Sequence, residues 1–377
     1  MTSKERMLVA MRNGQPDMVP VAPDMSNMIP CKLTGKPFWD IYLYQDPPLW
    51  QAYINAVRYF GFDGWLAGVP VELESDRAAR LGGPQWSEAI VHRTSDRIYT
   101  RRHRRTGGEQ VWSEHLTAYY SDNPPTGSVL PAKVGLPSDA PSEWEDVQPR
   151  TGYAGLEAFH AANKLMGEDG VVGVAVGLPG LGRNSESVYE YYDHQAAVIE
   201  RCAEQGERIA ERTRQLVALK PDFVLIGISG FMIWNPEPIF RRLALPTLQA
   251  VTRICKDADI PSQIHCCGPE YSLVRMAAED SDLNSINPLE IPPMGDCDLA
   301  QVKREFGRRL SLMGNLHTTE VMLRGSPQTV REESKRAMVA AAGGGGFILS
   351  TGDQCGRDTP SDNIRAMIET ARTYGVY

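Results

Sequence analysis

The residues best equipped for chemistry in this chain sit at the ends of short apolar runs. Ile264-His265-Cys266-Cys267-Gly268 closes one such run and precedes a stretch with helical spacing. In an extended chain residues i and i+2 face the same side, so His265 and Cys267 present an imidazole and a thiol together, while Cys266 points away. That donor pair suits Zn2+. Glu290 follows the run at Leu283–Ile286, and Cys355 follows the run at Phe347–Ser350. If the runs are parallel strands, their loops open on one rim and bring His265, Cys267, Cys355 and Glu290 toward one point. Three ligands and an open position describe a catalytic zinc site, with Glu290 as a displaceable fourth ligand. Asn315 and Asp353 also lie at strand ends, where they could orient a ligand or the substrate, so Glu290, Asn315 and Asp353 are the candidate catalytic residues. Cys297 is a weaker alternative for the fourth position, and His317 is expected to begin a loop. Cys31, Cys202 and Cys255 lie elsewhere and read as small core fillers. The plainer alternative stays open: His265 capping a helix and buried thiols filling space.

The elements that must hold these residues follow from periodicity. Apolar runs recur at Val171–Val176, Phe223–Ile228, Ser262–His265, Leu283–Ile286, Leu310–Met313 and Phe347–Ser350. Between them lie helical patterns at Ser187–Leu219, Pro236–Lys256, Glu270–Glu279, Asp298–Phe306, Pro327–Ala342 and Thr359–Tyr374. Upstream, a capped helix starts near Ser3, Val19–Ala22 and Trp65–Val69 read as strands, and Pro48–Phe60 as a helix. Short strands alternating with helices predict an α/β fold, a (β/α)8 barrel of the TIM type with an N-terminal helical extension. The whole chain, 1–377, is expected to be one such domain.

One segment departs from that rhythm. Residues 87–120 alternate in character and carry Thr106-Gly107-Gly108 as a turn, which predicts an inserted β-hairpin or meander. The basic run Arg101, Arg102, His103, Arg104, Arg105 lies on it and reads as a solvated hairpin edge, with a docking patch for an acidic partner as the alternative.

Composition narrows the partners. With 39 basic and 47 acidic residues the net charge is −8, which argues against nucleic acid and anionic membrane as partners. Seven cysteines, several close together, favour a reduced cytoplasmic chain over a disulfide framework. The N-terminus lacks a signal-peptide pattern, and no apolar run is long enough to span a membrane.

Taken together, Ser3-Lys4-Glu5-Arg6, Pro20-Val21, His265-Cys266-Cys267-Gly268, Met313-Gly314-Asn315, Leu349-Ser350-Thr351-Gly352 and Thr359-Pro360-Ser361-Asp362-Asn363 resemble the uroporphyrinogen decarboxylase superfamily. Within it, His-x-Cys with a distant Cys resembles the zinc-dependent, corrinoid-linked methyltransferases. The resemblance implies a TIM barrel with zinc at its C-terminal rim. The likeness of His265, Cys267, Glu290 and Cys355 to the ligand order of cobalamin-independent methionine synthases supports Glu290. The implied activity moves a methyl group between a small methylated substrate and the cobalt of a corrinoid (cobalamin) held by a separate protein, because this chain has no Asp-x-His-x-x-Gly corrinoid signature of its own. The aromatic residues Phe38, Trp39, Tyr42, Tyr44, Trp65, Phe231 and Trp234 favour a methoxy-aromatic donor. Methylcobamide-to-thiol transfer of the coenzyme M type is the alternative. The decarboxylases carry an arginine after the first strand where Val21–Met28 has none. A decarboxylase and a non-catalytic zinc-binding paralogue remain further alternatives, and a homodimer is left open.

Overall fold

The apolar runs lie side by side as a seven-stranded parallel sheet, flanked by the helices that separate them in sequence. The computed structural model describes residues 1–148 and 155–377. In chain order its strands are β1 (Gly64–Leu66), β2 (Ser87–Arg93), β3 (Arg97–Thr106), β4 (Glu109–Tyr120), β5 (Thr126–Val129), β6 (Glu145–Asp146), β7 (Gly170–Val176), β8 (Phe223–Gly227), β9 (Ser262–His265), β10 (Ser285–Asn287), β11 (Ser311–Leu316) and β12 (Phe347–Thr351). The parallel sheet runs β1-β7-β8-β9-β10-β11-β12, and a second, antiparallel sheet runs β5-β4-β3-β2-β6. Two compact units hold them. One comprises Met1–Asp24, Val57–Val69 and Asn163–Tyr377, and the other Met25–Ala56 and Pro70–Ala162. Among the described residues no helix is long and apolar enough to cross a membrane.

In the first unit the strands are buried almost throughout, as expected when helices cover a parallel sheet. Helix Ser3–Met11 opens with a capping box: the Thr2 hydroxyl accepts the Glu5 N–H at 3.1 Å, and the Glu5 carboxylate accepts the Thr2 N–H at 2.9 Å. Its Met7, Ala10 and Met11 share one buried cluster with Trp65, Val171, Phe223, Met313 and Ile348 of the sheet. Trp65 stacks on Phe223 there and donates to Gln263 Oε1 at 2.7 Å, so it is a core residue and does not offer aromatic surface at the rim. The expected helix over Ser187–Leu219 is two, Ser185–Asp193 and Gln195–Val217, broken at His194.

The expected eight-stranded barrel is corrected at one place. Val19–Ala22 joins β12 through a single parallel bridge, Val21 to Leu349, and meets the β1 side through the Asp63 N–H on Val21 O at 2.9 Å. The run forms no full strand because Pro20 lies within it and Pro23 follows it, and neither has an N–H to give. Asp63 strengthens this seam. Its buried carboxylate accepts the Val21 N–H at 2.9 Å and the Arg6 guanidinium at 2.7 Å.

The second unit carries the antiparallel sheet predicted over 87–120, with β5 and β6 added at its edges. Thr106 pairs with Glu109 across a Gly107-Gly108 turn whose φ angles, 60° and 90°, are those glycine tolerates. The reading of the basic run as a solvated edge is corrected. β3 lies inside the sheet, between β2 and β4, and the period of two splits the run. Arg101 and His103 are buried, and Arg102 and Arg105 are exposed. Arg101 donates to the carbonyls of Ser113, Asp139 and Ser138 at 2.6, 2.7 and 3.1 Å. Arg102 and Arg104 lie over the Trp86 ring. Phe38 and Ile41 pack with Cys31 in this unit's core.

Candidate metal centre

β9 sits between β8 and β10 in parallel register, with His265 opposite Gly227 on one side and Asn287 on the other. Residues at one level of a sheet face the same way, so the side chains of His265 and Asn287 meet: the Asn287 amide lies 3.2 Å from His265 Nδ1. One step back along the strand, Gln263 faces the same side and hydrogen-bonds Ser285 Oγ at 3.2 Å. One step forward, past the strand end, comes Cys267. Alternation along an extended chain therefore stacks Gln263, His265 and Cys267 in one column, the upper two at the strand's C-terminal end.

β12 brings the third group. Past Thr351 the chain turns under two bonds from Asp24, whose N–H donates to Thr351 Oγ1 at 3.1 Å and whose carbonyl accepts the Cys355 N–H at 2.8 Å. The turn faces Asp353 toward His265, with Oδ1 3.8 Å from Nε2. Ligand atoms of His265, Cys267 and Asp353 all lie within 4.8 Å of one another. Among the described residues this is the one cluster of three such donors able to hold a metal ion. Imidazole nitrogen, thiol sulfur and carboxylate oxygen are all zinc donors, so the residues present fit that ion. Asn287 adds to the fit. Its Oδ1 is buried without a partner among the described residues, and its amide can be turned about, because O and N are interchangeable in shape. Turned, Oδ1 accepts the Nδ1–H of His265 and leaves the Nε2 lone pair toward Cys267 and Asp353.

Cys355 and Glu290 stand outside that group of three, though both are close enough to Asp353 to feel its charge. Burial pushes the Cys355 thiol up to about 12, and the charges of Asp24 and Asp353 add to the effect. Glu290 is buried, with its carboxylate on the Gly268 N–H at 2.5 Å. Burial and the charge of Asp353 raise its pKa, and the amide bond opposes them. The Cys267 thiol is likewise raised by burial and by Asp353, against the Ser229 hydroxyl, which favours the thiolate. Asn315 donates to Leu289 O at 3.0 Å. Cys266 is buried, its N–H on Asn287 O at 3.0 Å. Cys297 is buried too, and burial raises both thiols strongly. His317 caps the helical turn Thr318–Leu323 through Nδ1.

Sequence reasoning missed Asn287 and Glu270, and gave Asp353 only an orienting role. Glu270 is fully buried; one carboxylate oxygen accepts the Leu289 N–H at 2.8 Å and the other has no partner among the described residues. Burial holds its pKa well above the usual carboxylate range. A glutamate directly after Cys-Gly-Pro was the available signal for it. Asn287 gave none, because its meeting with His265 depends on strand register.

With this geometry in view, the likeness to known proteins is informative. Residues 198–374 match the family model described as uroporphyrinogen decarboxylase (URO-D), the family that the chain's motifs resemble. The methylcobamide:CoM methyltransferase MtbA of Methanosarcina mazei is 26% identical over 135 residues, 36% of this chain and 37% of that protein. A uroporphyrinogen decarboxylase of Microcystis aeruginosa is 30% identical over 133 residues, 35% of each chain. The alignments thus span about a third of the length of these curated relatives. A solved methyltransferase from Methanosarcina mazei shares the fold, with a TM-score of 0.64 at 16% identity over 99% of both chains.

Proposed function

We propose that this chain is a zinc-dependent methyltransferase that moves a methyl group between a small methylated substrate, of the methoxy-aromatic type, and the cobalt of a corrinoid presented by a separate protein. One observation carries the reading: His265, Cys267 and Asp353 converge at the C-terminal ends of β9 and β12. That is where parallel α/β sheets place their chemistry.

His265 and Cys267 would hold the zinc, with Cys355 as the proposed third ligand and Asp353 as the carboxylate already facing the pair. Zinc there supplies Lewis acidity toward the substrate's heteroatom. The chain's own groups do the rest. Asn287 holds the His265 ring and its tautomer, the Ser229 hydroxyl favours the Cys267 thiolate, and Glu290 waits on the Gly268 amide as the displaceable fourth ligand. Asn315 orders the loop that carries Glu290. One domain over 1–377 is proposed to act as a unit.

The test supplies cob(I)alamin and a panel of methyl ethers, thioethers and amines to protein with and without zinc, and follows methylcob(III)alamin by absorbance. Zinc-dependent methylation of cobalt is the expected result, and its absence with every donor in both metal states overturns the reading. Metal content of Cys355→Ser and Asp353→Asn identifies the third ligand as whichever variant loses the zinc. The likeness to MtbA favours one second reading, transfer from a methylated corrinoid to a small thiol. The same assay run backwards, with methylcob(III)alamin and a thiol panel, tests it.

A further inference from the structure

The loop between β10 and the next helix holds a feature that metal binding does not explain. Leu289 has φ 62°, the left-handed region, which a leucine rarely adopts, and its side chain is fully buried. Strained backbone of this kind persists only where the surroundings over-determine it. Here they do so from both ends of the residue. The Leu289 N–H donates to Glu270 Oε2 at 2.8 Å, and the Leu289 carbonyl accepts from Asn315 Nδ2 at 3.0 Å. These partners come from opposite sides, Glu270 from the loop after β9 and Asn315 from β11. Two glycines press on the neighbouring peptides: a Cβ on Gly314 would fall 2.3 Å from Pro288 O, and one on Gly295 would fall 2.2 Å from Glu290 O. The Glu290 carbonyl is taken by the Cys297 N–H at 3.0 Å.

We propose that Glu270 and Asn315 are positioning residues that clamp Leu289 in its left-handed conformation and so deliver the Glu290 carboxylate to the Gly268 amide, beside His265, Cys267 and Asp353. Glu270 itself argues for this. A fully buried acid with one oxygen unpartnered among the described residues is costly. Among the described residues the bond from Leu289 is the one hydrogen bond to the Glu270 carboxylate, and it offsets that cost. Among the described residues neither side chain hydrogen-bonds Glu290, and each acts on it through the peptide of its neighbour. The clamp belongs to the folded chain, whereas what Glu290 does at a metal rests on the function proposed above.

The experiment measures hydrogen–deuterium exchange of the Gly268 N–H in the full-length, metal-free protein by NMR, with amides of helix Ser361–Tyr374 as the reference for global opening. Glu270→Leu and Asn315→Leu should speed Gly268 exchange at least tenfold, about 1.4 kcal/mol of local protection, while the reference helix stays within twofold. Glu270→Gln keeps an oxygen for the Leu289 N–H and should restore protection to within about threefold of the parent. Should Glu270→Leu fail to fold, Asn315→Leu against the Glu270→Gln control carries the same comparison. Unchanged Gly268 exchange in the clamp variants overturns the proposal, as does equal acceleration of the reference helix. No metal enters the measurement, so failure to bind zinc sinks the proposed function without touching this result.

Discussion

The two ring nitrogens of His265 have different tasks in this structure: Nδ1 meets Asn287, and Nε2 faces Asp353 and Cys267. Removing the Nδ1 partner should free the ring and its tautomer. Asn287→Leu is therefore expected to weaken zinc binding about 10- to 100-fold, measured by competition with a chromophoric chelator, while Asn287→Asp keeps most of the affinity. The thiols make a second expectation. Burial raises Cys267 above its ordinary value and Cys355 to about 12, so both carry protons at neutral pH and each must lose one to bind metal. Affinity then rises with pH. If both thiols are ligands, log affinity should climb about two units per pH unit between about pH 7 and 8, and about one in Cys355→Ser. A parent slope near one would take Cys355 out of the ligand set and leave Asp353 in its place.

At the scale of elements, β3 shows how a period of two sorts one run of charge into structure and surface. Arg101 is buried with three carbonyl acceptors, and Arg105 is exposed. Arg101→Leu strands those acceptors and should cost about 2–3 kcal/mol, whereas Arg105→Ala should stay within about 0.5 kcal/mol. Urea melts of the two variants check this, and equal effects would contradict the assignment. The seam at Val19–Ala22 depends on one carboxylate. Asp63→Ala leaves the buried Arg6 with Asp17 as its carboxylate partner, beside the Met1 carbonyl, and the Val21 N–H without its side-chain acceptor. A loss of about 3 kcal/mol is expected, with Asp63→Asn costing less because its oxygen still accepts from Val21.

Across the whole molecule, several thiols are buried and free. Burial raises Cys31 to about 12 and Cys255 to about 12, against 9.0 for an unperturbed thiol. Above about pH 9 the folded chain thus holds protons that the unfolded chain releases. Their stabilising contribution is complete below that pH and is lost as pH rises toward 12. The melting temperature should fall between about pH 8.5 and 10.5, and Cys255→Val should fall less steeply because one of these protons is gone. Parallel pH profiles for the two proteins would show that Cys255 contributes nothing to alkaline unfolding.

What the amino-acid sequence determined by itself was local and periodic. Apolar runs between helical patterns located the strands of the parallel sheet, alternation located the inserted sheet, and the spacing of His265 and Cys267 put both on one face, because side-chain direction in an extended chain is set by parity alone. Parity could not tell β3 in mid-sheet from an edge strand, so the basic run was misread as solvated. Nor could it show that Pro20 and Pro23 would reduce an eighth strand to one bridge. The rest of the candidate centre was decided by tertiary structure. Asn287 reaches His265 only through the register of β10 on β9. Asp353 faces the pair only because Asp24, distant in sequence, ties down the turn after β12. Leu289 is held left-handed by groups on two other elements. Each of these depends on which strands become neighbours and in what register, and that is settled by burial of the whole sheet rather than by any local preference of the residues concerned.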